Sequence, residues 1–368
     1  MVRSTTDSLK KTGNRVTATV QPRSQLTPAV TRQMDDDPWA LEPLELTSSR
    51  SGSLDPRLLV RFAILAPSSH NTQPWLFTAS DREITVEPDI TRWLEVADPT
   101  KRELHISLGC AVENIVIAAE HAGCQVHTDL VKTSGGVAVR ISWEAAHGLE
   151  RSLVSSNLAA RIPLRRTSHA PFRPTPIATE GAEAMLASAK PFGVRAQLYD
   201  DPRTIARVAD LTARADEMQF VDRAWRAELS HWLGQGVFGG SWLKARIGSL
   251  VVRYADLGKS TGKKNRELMA GSPMVGLISA SEDSHEVHIE SGRAFQRLAL
   301  TADSLGIGVQ PMSGSLEVPE LRSELASSLA GAAAYPLQLF RVGYPASEEE
   351  HTPRRQLGEV LTQPSAVS

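Results

Sequence analysis

The chain has 368 residues, 41% of them apolar and 22% charged, with 40 Lys plus Arg against 42 Asp plus Glu and a formal net charge of −2. This length exceeds the ~150 residues of an ordinary domain and points to two modules or a fused pair. The balanced charge gives no overall electrostatic argument for nucleic acid or an anionic membrane, and leaves room for a local basic pocket.

Two cysteines, Cys110 and Cys124, exclude a disulfide framework and a four-cysteine zinc site, and both read as small hydrophobes in an apolar helical stretch. No apolar run reaches the ~18 residues of a membrane span, and none forms a signal peptide, so a soluble cytoplasmic protein is expected. Residues 1–50 are rich in Ser, Thr, Arg, Gln and Pro, with few large apolar side chains before Trp39, and read as a leader without fixed structure. A helix is predicted over 54–65, stopped by Pro67 because proline cannot supply the next helical N–H. A polar hook follows, Ser68-Ser69-His70-Asn71-Thr72-Gln73, ending at Pro74 and the apolar Trp75-Leu76-Phe77. A strand is expected near 84–86, then a long helix over about 101–122 with apolar residues at three- and four-residue steps and Gly123 as its stop. The run 136–143 alternates as a strand.

A weak internal repeat links the two halves. Gly109-X-Ala111, followed by Ala119 and Gly123, recurs as Gly292-X-Ala294, followed by Ala302 and Gly306, at an offset of 183. Small residues at those positions would let the helix at 101–122 and a second one at 291–306 approach closely.

Between the halves, residues 215–270 carry Trp225, His231, Trp232, Phe238 and Trp242 among several glycines. This segment suits either a lid or a domain-packing helix pair. The basic run Lys259–Arg266 reads as a solvated loop, and His285 and His288 with Glu282 and Glu286 read as a charged loop rather than a metal site. Neither a Gly-X-Ser-X-Gly elbow nor a phosphate-binding Gly-X-X-X-X-Gly-Lys-Ser/Thr loop occurs.

Three motifs carry the chemistry. The first, Pro67-Ser68-Ser69-His70-Asn71-Thr72-Gln73-Pro74-Trp75, resembles the flavin-contacting loop of the nitroreductase superfamily, whose members hold FMN at a subunit interface. The second, Arg165-Arg166-Thr167-Ser168-His169, resembles the family's Arg-Arg-Ser-X-Arg element, which implies that Arg165 and Thr167, with Arg166 adjacent, hold the FMN phosphate. His169 stands where the family usually has Arg or Lys near the flavin pyrimidine, and a histidine is only partly charged near neutral pH. The third, Gln310-Pro311-Met312-Ser313-Gly314, resembles the loop that lies against the isoalloxazine, with Ser313 as the implied amide donor. The strand-like run 335–345 and the pair Arg354-Arg355 resemble the last core strand and the C-terminal basic pair that completes the phosphate site, and either arginine can be the inward one.

The resemblance implies an α+β fold of two nitroreductase-like half-domains, each a central antiparallel sheet flanked by helices, packed as an intramolecular pseudo-dimer. The expected divisions are 1–50, 51–150 and 151–368, with the insertion at 215–270. The first half holds the hook and the second the phosphate elements, so the chain is similar to a fused dimer that kept one of its two flavin sites, as in the Acg-type branch. The implied activity is FMN-dependent hydride transfer, with NADH or NADPH as electron donor and a nitroaromatic, quinone or other conjugated molecule as acceptor. The alternative is a closed FMN-binding protein for storage or sensing. A monomer without metal is expected.

Overall fold

The computed structural model describes residues 37–43, 46, 54–145, 153–239, 242–331 and 334–362. The leader expected over 1–50 lies outside these, except for 37–43 and 46, within which Leu41 and Leu46 are buried in the main core and Trp39 packs against it.

Helix α1 spans Pro56–Ala63, with Asp55 accepting from the Arg57 N–H at 2.9 Å and Pro56 in the first turn, and it buries Leu59, Val60 and Phe62. Strands β1 (Trp75–Ser80) and β2 (Glu83–Pro88) form a hairpin whose inward positions include Trp75, Phe77, Ile84 and Val86. Helix α2 (Arg102–His121) is buried from Arg102 to Ala119, a helix enclosed on all sides. Strands β3 (Cys124–Thr133) and β4 (Gly136–Ala145) form a second hairpin.

The second half runs through α3 (Leu153–Arg161), α4 (Thr179–Ala189), β5 (Arg195–Tyr199), α5 (Pro202–Val221), α6 (Arg223–Gly234), α7 (Trp242–Tyr254) and α8 (Gly258–Ala270). It continues as β6 (Met274–Ala280), α9 (His285–Ser304), β7 (Gly308–Pro311), β8 (Tyr335–Gly343) and the short β9 (Leu361–Thr362). One sheet has the order β3-β4-β2-β1-β9 and the other β5-β6-β8-β7. Both are antiparallel but for β9, which returns from the C-terminus to pair parallel with β1. The end of the chain is thereby tied to the sheet of the first half.

The two long helices meet as the repeat predicts. A Cβ added to Gly109 would lie 2.1 Å from the Ile289 carbonyl oxygen, and one added to Gly292 would lie 2.0 Å from that of Ile106. Ile106 and Ile289 are also 183 positions apart, so the contact is reciprocal, the mark of a two-fold relation between α2 and α9. Cys110 donates from Sγ to the Gly292 carbonyl at 3.3 Å, and Gln296 donates to Asn114 at 2.7 Å along the same seam.

Several local expectations are corrected. Cys124 opens β3 instead of lying in the helix, because the chain turns at Gly123 (φ +82°) and pairs at once with β4. Lys259–Arg266 is part of α8, not a loop: Gly258 and Gly262 let α8 lie directly on α5, where a Cβ on Gly262 would come within 2.8 Å of the Ala213 carbonyl oxygen. His285 and His288 belong to the first turns of α9, which starts earlier than 291 because Ser284 caps it, accepting from the Val287 N–H. The glycines after α9 lead into β7 within three residues.

Candidate active site

A cavity of about 380 Å³ opens between the hook, the first turns of α2, the 165–169 segment, β7 and its following loop, the C-terminal stretch around 350–354, and the helices α5, α6 and α8. Its lining includes Pro67, Ser68, Ser69, Asn71, Arg165, Arg166, Thr167, His169, Gln310, Pro311, Met312, Ser313, Gly314 and Arg354. Fourteen positions scattered over almost 290 residues of sequence therefore converge on one space.

Arg355 is the exception. Its guanidinium forms an ion pair with Asp89 at 3.0 Å and donates to the carbonyls of Gln73, Trp75 and Glu359, turned away from the cavity. The inward arginine is Arg354, which donates to Asn71 Oδ1 at 3.0 Å, Thr352 Oγ1 at 2.7 Å and the Leu65 carbonyl at 3.3 Å, and lies 4.6 Å over the Trp39 ring.

Arg165 reaches the same Leu65 carbonyl at 3.4 Å and Thr167 Oγ1 at 3.4 Å. The hydrogen bonds of both guanidiniums go to neutral oxygens only, and the Nε atom of each is buried without a partner. Burial lowers both pKa values; the charge of Asp303 opposes this at Arg165, and Arg165 lowers that of Arg354 further. Two converging cations with no carboxylate among their hydrogen-bond partners leave a desolvation cost that an entering anion would offset. Arg166 stays exposed at the rim.

The hook is held in a strained conformation. His70, Asn71 and Gln73 have φ of 48°, 51° and 53°, the left-handed region, at a cost of about 1–3 kcal/mol each for residues other than glycine. Local bonds hold it: the Gln73 N–H donates to Ser68 Oγ at 2.9 Å, and Ser69 Oγ donates to Glu103 at 2.6 Å. Asn71 lines the cavity, yet its amide is engaged by protein, donating to the Val237 carbonyl at 2.5 Å and the Pro353 carbonyl at 3.0 Å while accepting from Arg354. It fastens together the hook, the end of the α6 region and the C-terminal segment.

His169 is fixed by a relay that sequence did not reveal. Arg341, buried on β8, donates from Nε to Gln310 Oε1 at 2.6 Å, and Gln310 Nε2 lies 3.0 Å from His169 Nδ1. With the Gln310 oxygen taken, its amide donates, so Nδ1 accepts and the imidazole proton sits on Nε2. Desolvation lowers the His169 pKa, Glu349 opposes this, and Arg341 lowers it again, which favours the neutral ring.

Part of the wall is acidic: Glu103, Asp216, Glu317 and Glu350 line it. Glu103 pairs with Arg102 at 2.8 Å, Asp216 accepts from Asn265 at 2.9 Å, and Glu317 accepts from Gln219 at 2.6 Å. Burial, reinforced by Glu103, raises the Glu317 pKa to about 8, so at neutral pH this carboxyl keeps its proton and can donate a hydrogen bond. Glu103 opens α2 and Glu317 follows the 310–314 loop, but nothing in their spacing marks them as neighbours.

Trp225, Leu229 and Phe238 supply the remaining wall, and His70 lies 6.4 Å from the Trp225 ring and 6.3 Å from that of Phe238. The segment 215–270 thus faces the cavity, and its helices α6 and α7 also pack on each other through Trp225, Trp232 and Val252. Trp39, stacked on His351 at 3.9 Å, lines the arginine end and was legible only as an isolated aromatic in a polar stretch. Among the described residues no group of three His, Cys, Asp or Glu is placed to hold a metal ion, and no helix is long and apolar enough to cross a membrane.

No protein-family model matches the chain. It is similar to Rv3131 of Mycobacterium tuberculosis, provisionally named an NAD(P)H nitroreductase, with 26% identity over 322 residues, 84% of this chain and 92% of the relative. It is also 25% identical over 313 residues to Acg of the same organism, provisionally named likewise, covering 82% of this chain and 93% of Acg. Among solved structures, the FMN-dependent nitroreductase NfnB of Mycobacterium smegmatis, in complex with NADPH, aligns with 55% of this chain and 96% of its own at 21% identity and a TM-score of 0.39. The chain is thus similar to relatives of that name along nearly their whole length.

Proposed function

We propose that the protein is an FMN-dependent oxidoreductase that passes electrons from NADH or NADPH to a nitroaromatic, quinone or other conjugated small molecule. The observation that carries this reading is the pair of converging guanidiniums, Arg165 and Arg354, which share the Leu65 carbonyl and have only neutral hydrogen-bond partners. Such a pair fits a phosphate, and the strained hook, the 310–314 loop and the apolar wall around Trp225 fit a flat ring system.

FMN, when bound, supplies hydride transfer through its N5 atom. Arg165, Arg354 and Thr167 would hold the phosphate, with Ser68, Ser69 and Asn71 on one side of the ring and Pro311, Met312, Ser313 and Gly314 on the other. His169, kept neutral and oriented by Gln310, would donate a hydrogen bond from Nε2 in place of the family's fixed cation. Trp225, Leu229 and Phe238 would exclude water above the ring. Each half contributes: the hook and α2 from 51–150 and, apart from Trp39, the remaining walls from 151–368. Together with the reciprocal contact of Gly109 and Gly292, this supports a pseudo-dimer within one chain.

One observation favours the closed flavin-holding alternative: Asn71 ties the hook to Val237, so the roof is latched over the cavity. An anaerobic visible spectrum of the FMN-loaded protein separates the two. Bleaching by NADPH, reversed by a quinone, is the expected result. A stable flavin band indifferent to both nicotinamides would favour the closed holder.

A further inference from the structure

Helix α7 presents an apolar stripe to solvent. Ile247, Leu250, Val251 and Tyr254, at i, i+3, i+4 and i+7, are 55%, 57%, 46% and 77% exposed, while Val252 turns the other way into the cluster formed with Trp225 and Trp232. The same stretch is strongly basic: residues 242–266 contain seven Lys or Arg and one Asp, a net +6 in a chain whose total is −2. Lys259 and Lys263 stand exposed on α8. The even overall charge thus hides a separation, with a net −8 on the rest of the molecule.

We propose that this face docks on an anionic lipid surface, with the α7 stripe at the boundary of headgroups and acyl chains and the exposed Arg253, Lys259 and Lys263 on the lipid phosphates. Apolar insertion and phosphate pairing reinforce one another in such an arrangement, and neither alone gives firm binding. A second copy of the chain fits this face poorly, because a two-fold contact would press the +6 segment against itself. The net −8 elsewhere does not oppose docking, since charges beyond a Debye length of about 8 Å are screened. Trp225 and Leu229 of α6 and Phe238 of the α6–α7 connection are walls of the cavity, so docking would set the cavity beside the bilayer. The proposal stands apart from the flavin reading.

Sedimentation of the full-length protein with vesicles tests it. Vesicles of phosphatidylcholine containing phosphatidylglycerol should bind at least about tenfold more protein than phosphatidylcholine alone, and about 0.5 M salt should release it. Leu250→Ser with Tyr254→Ser, and separately Lys259→Glu with Lys263→Glu, should each lower binding about tenfold. The four positions are exposed, so unchanged melting temperatures would show that the fold is kept. Equal partitioning to both vesicle types overturns the proposal, as does wild-type binding by the serine variant. A concentration-dependent dimer that the serine variant abolishes, without vesicle binding, assigns the face to self-association instead.

Discussion

Arg354 and Arg355 are adjacent and identical in type, yet one faces the cavity and the other locks the chain end to Asp89 and the hook. Nothing in the sequence separates them, because the direction is set by the carbonyls that each side chain meets. Arg354→Met should weaken FMN binding at least tenfold, about 1.4 kcal/mol, with little change in fold stability, as read by flavin fluorescence titration. Arg355→Met should instead lower stability by about 3 kcal/mol in a denaturant titration, since it leaves Asp89 buried without its partner. Asn71→Ala removes three bonds that join the hook, Val237 and Arg354. It should speed amide exchange around residues 235–239 and loosen FMN; slow exchange there in the variant would mean that Asn71 is no latch.

The elements that sequence made legible are those with a local cause: α1 with its proline stop, α2 with its apolar steps, and the hook. Those it missed depend on distant partners. The strand β3 is visible only once paired with β4, and α8 reads as a polar loop until Gly258 and Gly262 are seen seated on α5. The glycine repeat was the exception, a long-range contact legible because it occurs twice. Gly109→Ala would place a methyl group against the Ile289 carbonyl and should cost about 3 kcal/mol or more in a denaturant titration. Gly248→Ala, where an added Cβ meets nothing within 4 Å, should stabilise by about 0.5–1 kcal/mol through helix propensity, a control on the same scale.

Over the whole molecule, buried ionisable groups set the pH response. Burial lowers the pKa of His70 to about 4 and that of His105 to about 3, so below about pH 6.5 the unfolded chain binds more protons at these two rings and their contribution to stability rises with pH. Burial raises Asp98 to about 7 and Glu317 to about 8, with Glu103 adding to both. The folded state then holds protons that the unfolded state has released, and stability falls with rising pH until these carboxyls ionise. The melting temperature should therefore drop between about pH 6.5 and 8.5, and Glu317→Gln should flatten that drop; an unchanged slope would remove Glu317 from this role.

The central claim is that two dissimilar halves of one chain build a single flavin site, the hook from the first and the arginines from the second. Titration of the apoprotein with FMN, followed by fluorescence quenching alongside a light-scattering mass, measures this directly. One FMN per 368-residue chain, in a particle of one chain's mass and lost in Arg165→Ala, is the predicted result. Two FMN per chain, or none under saturating conditions, would contradict it.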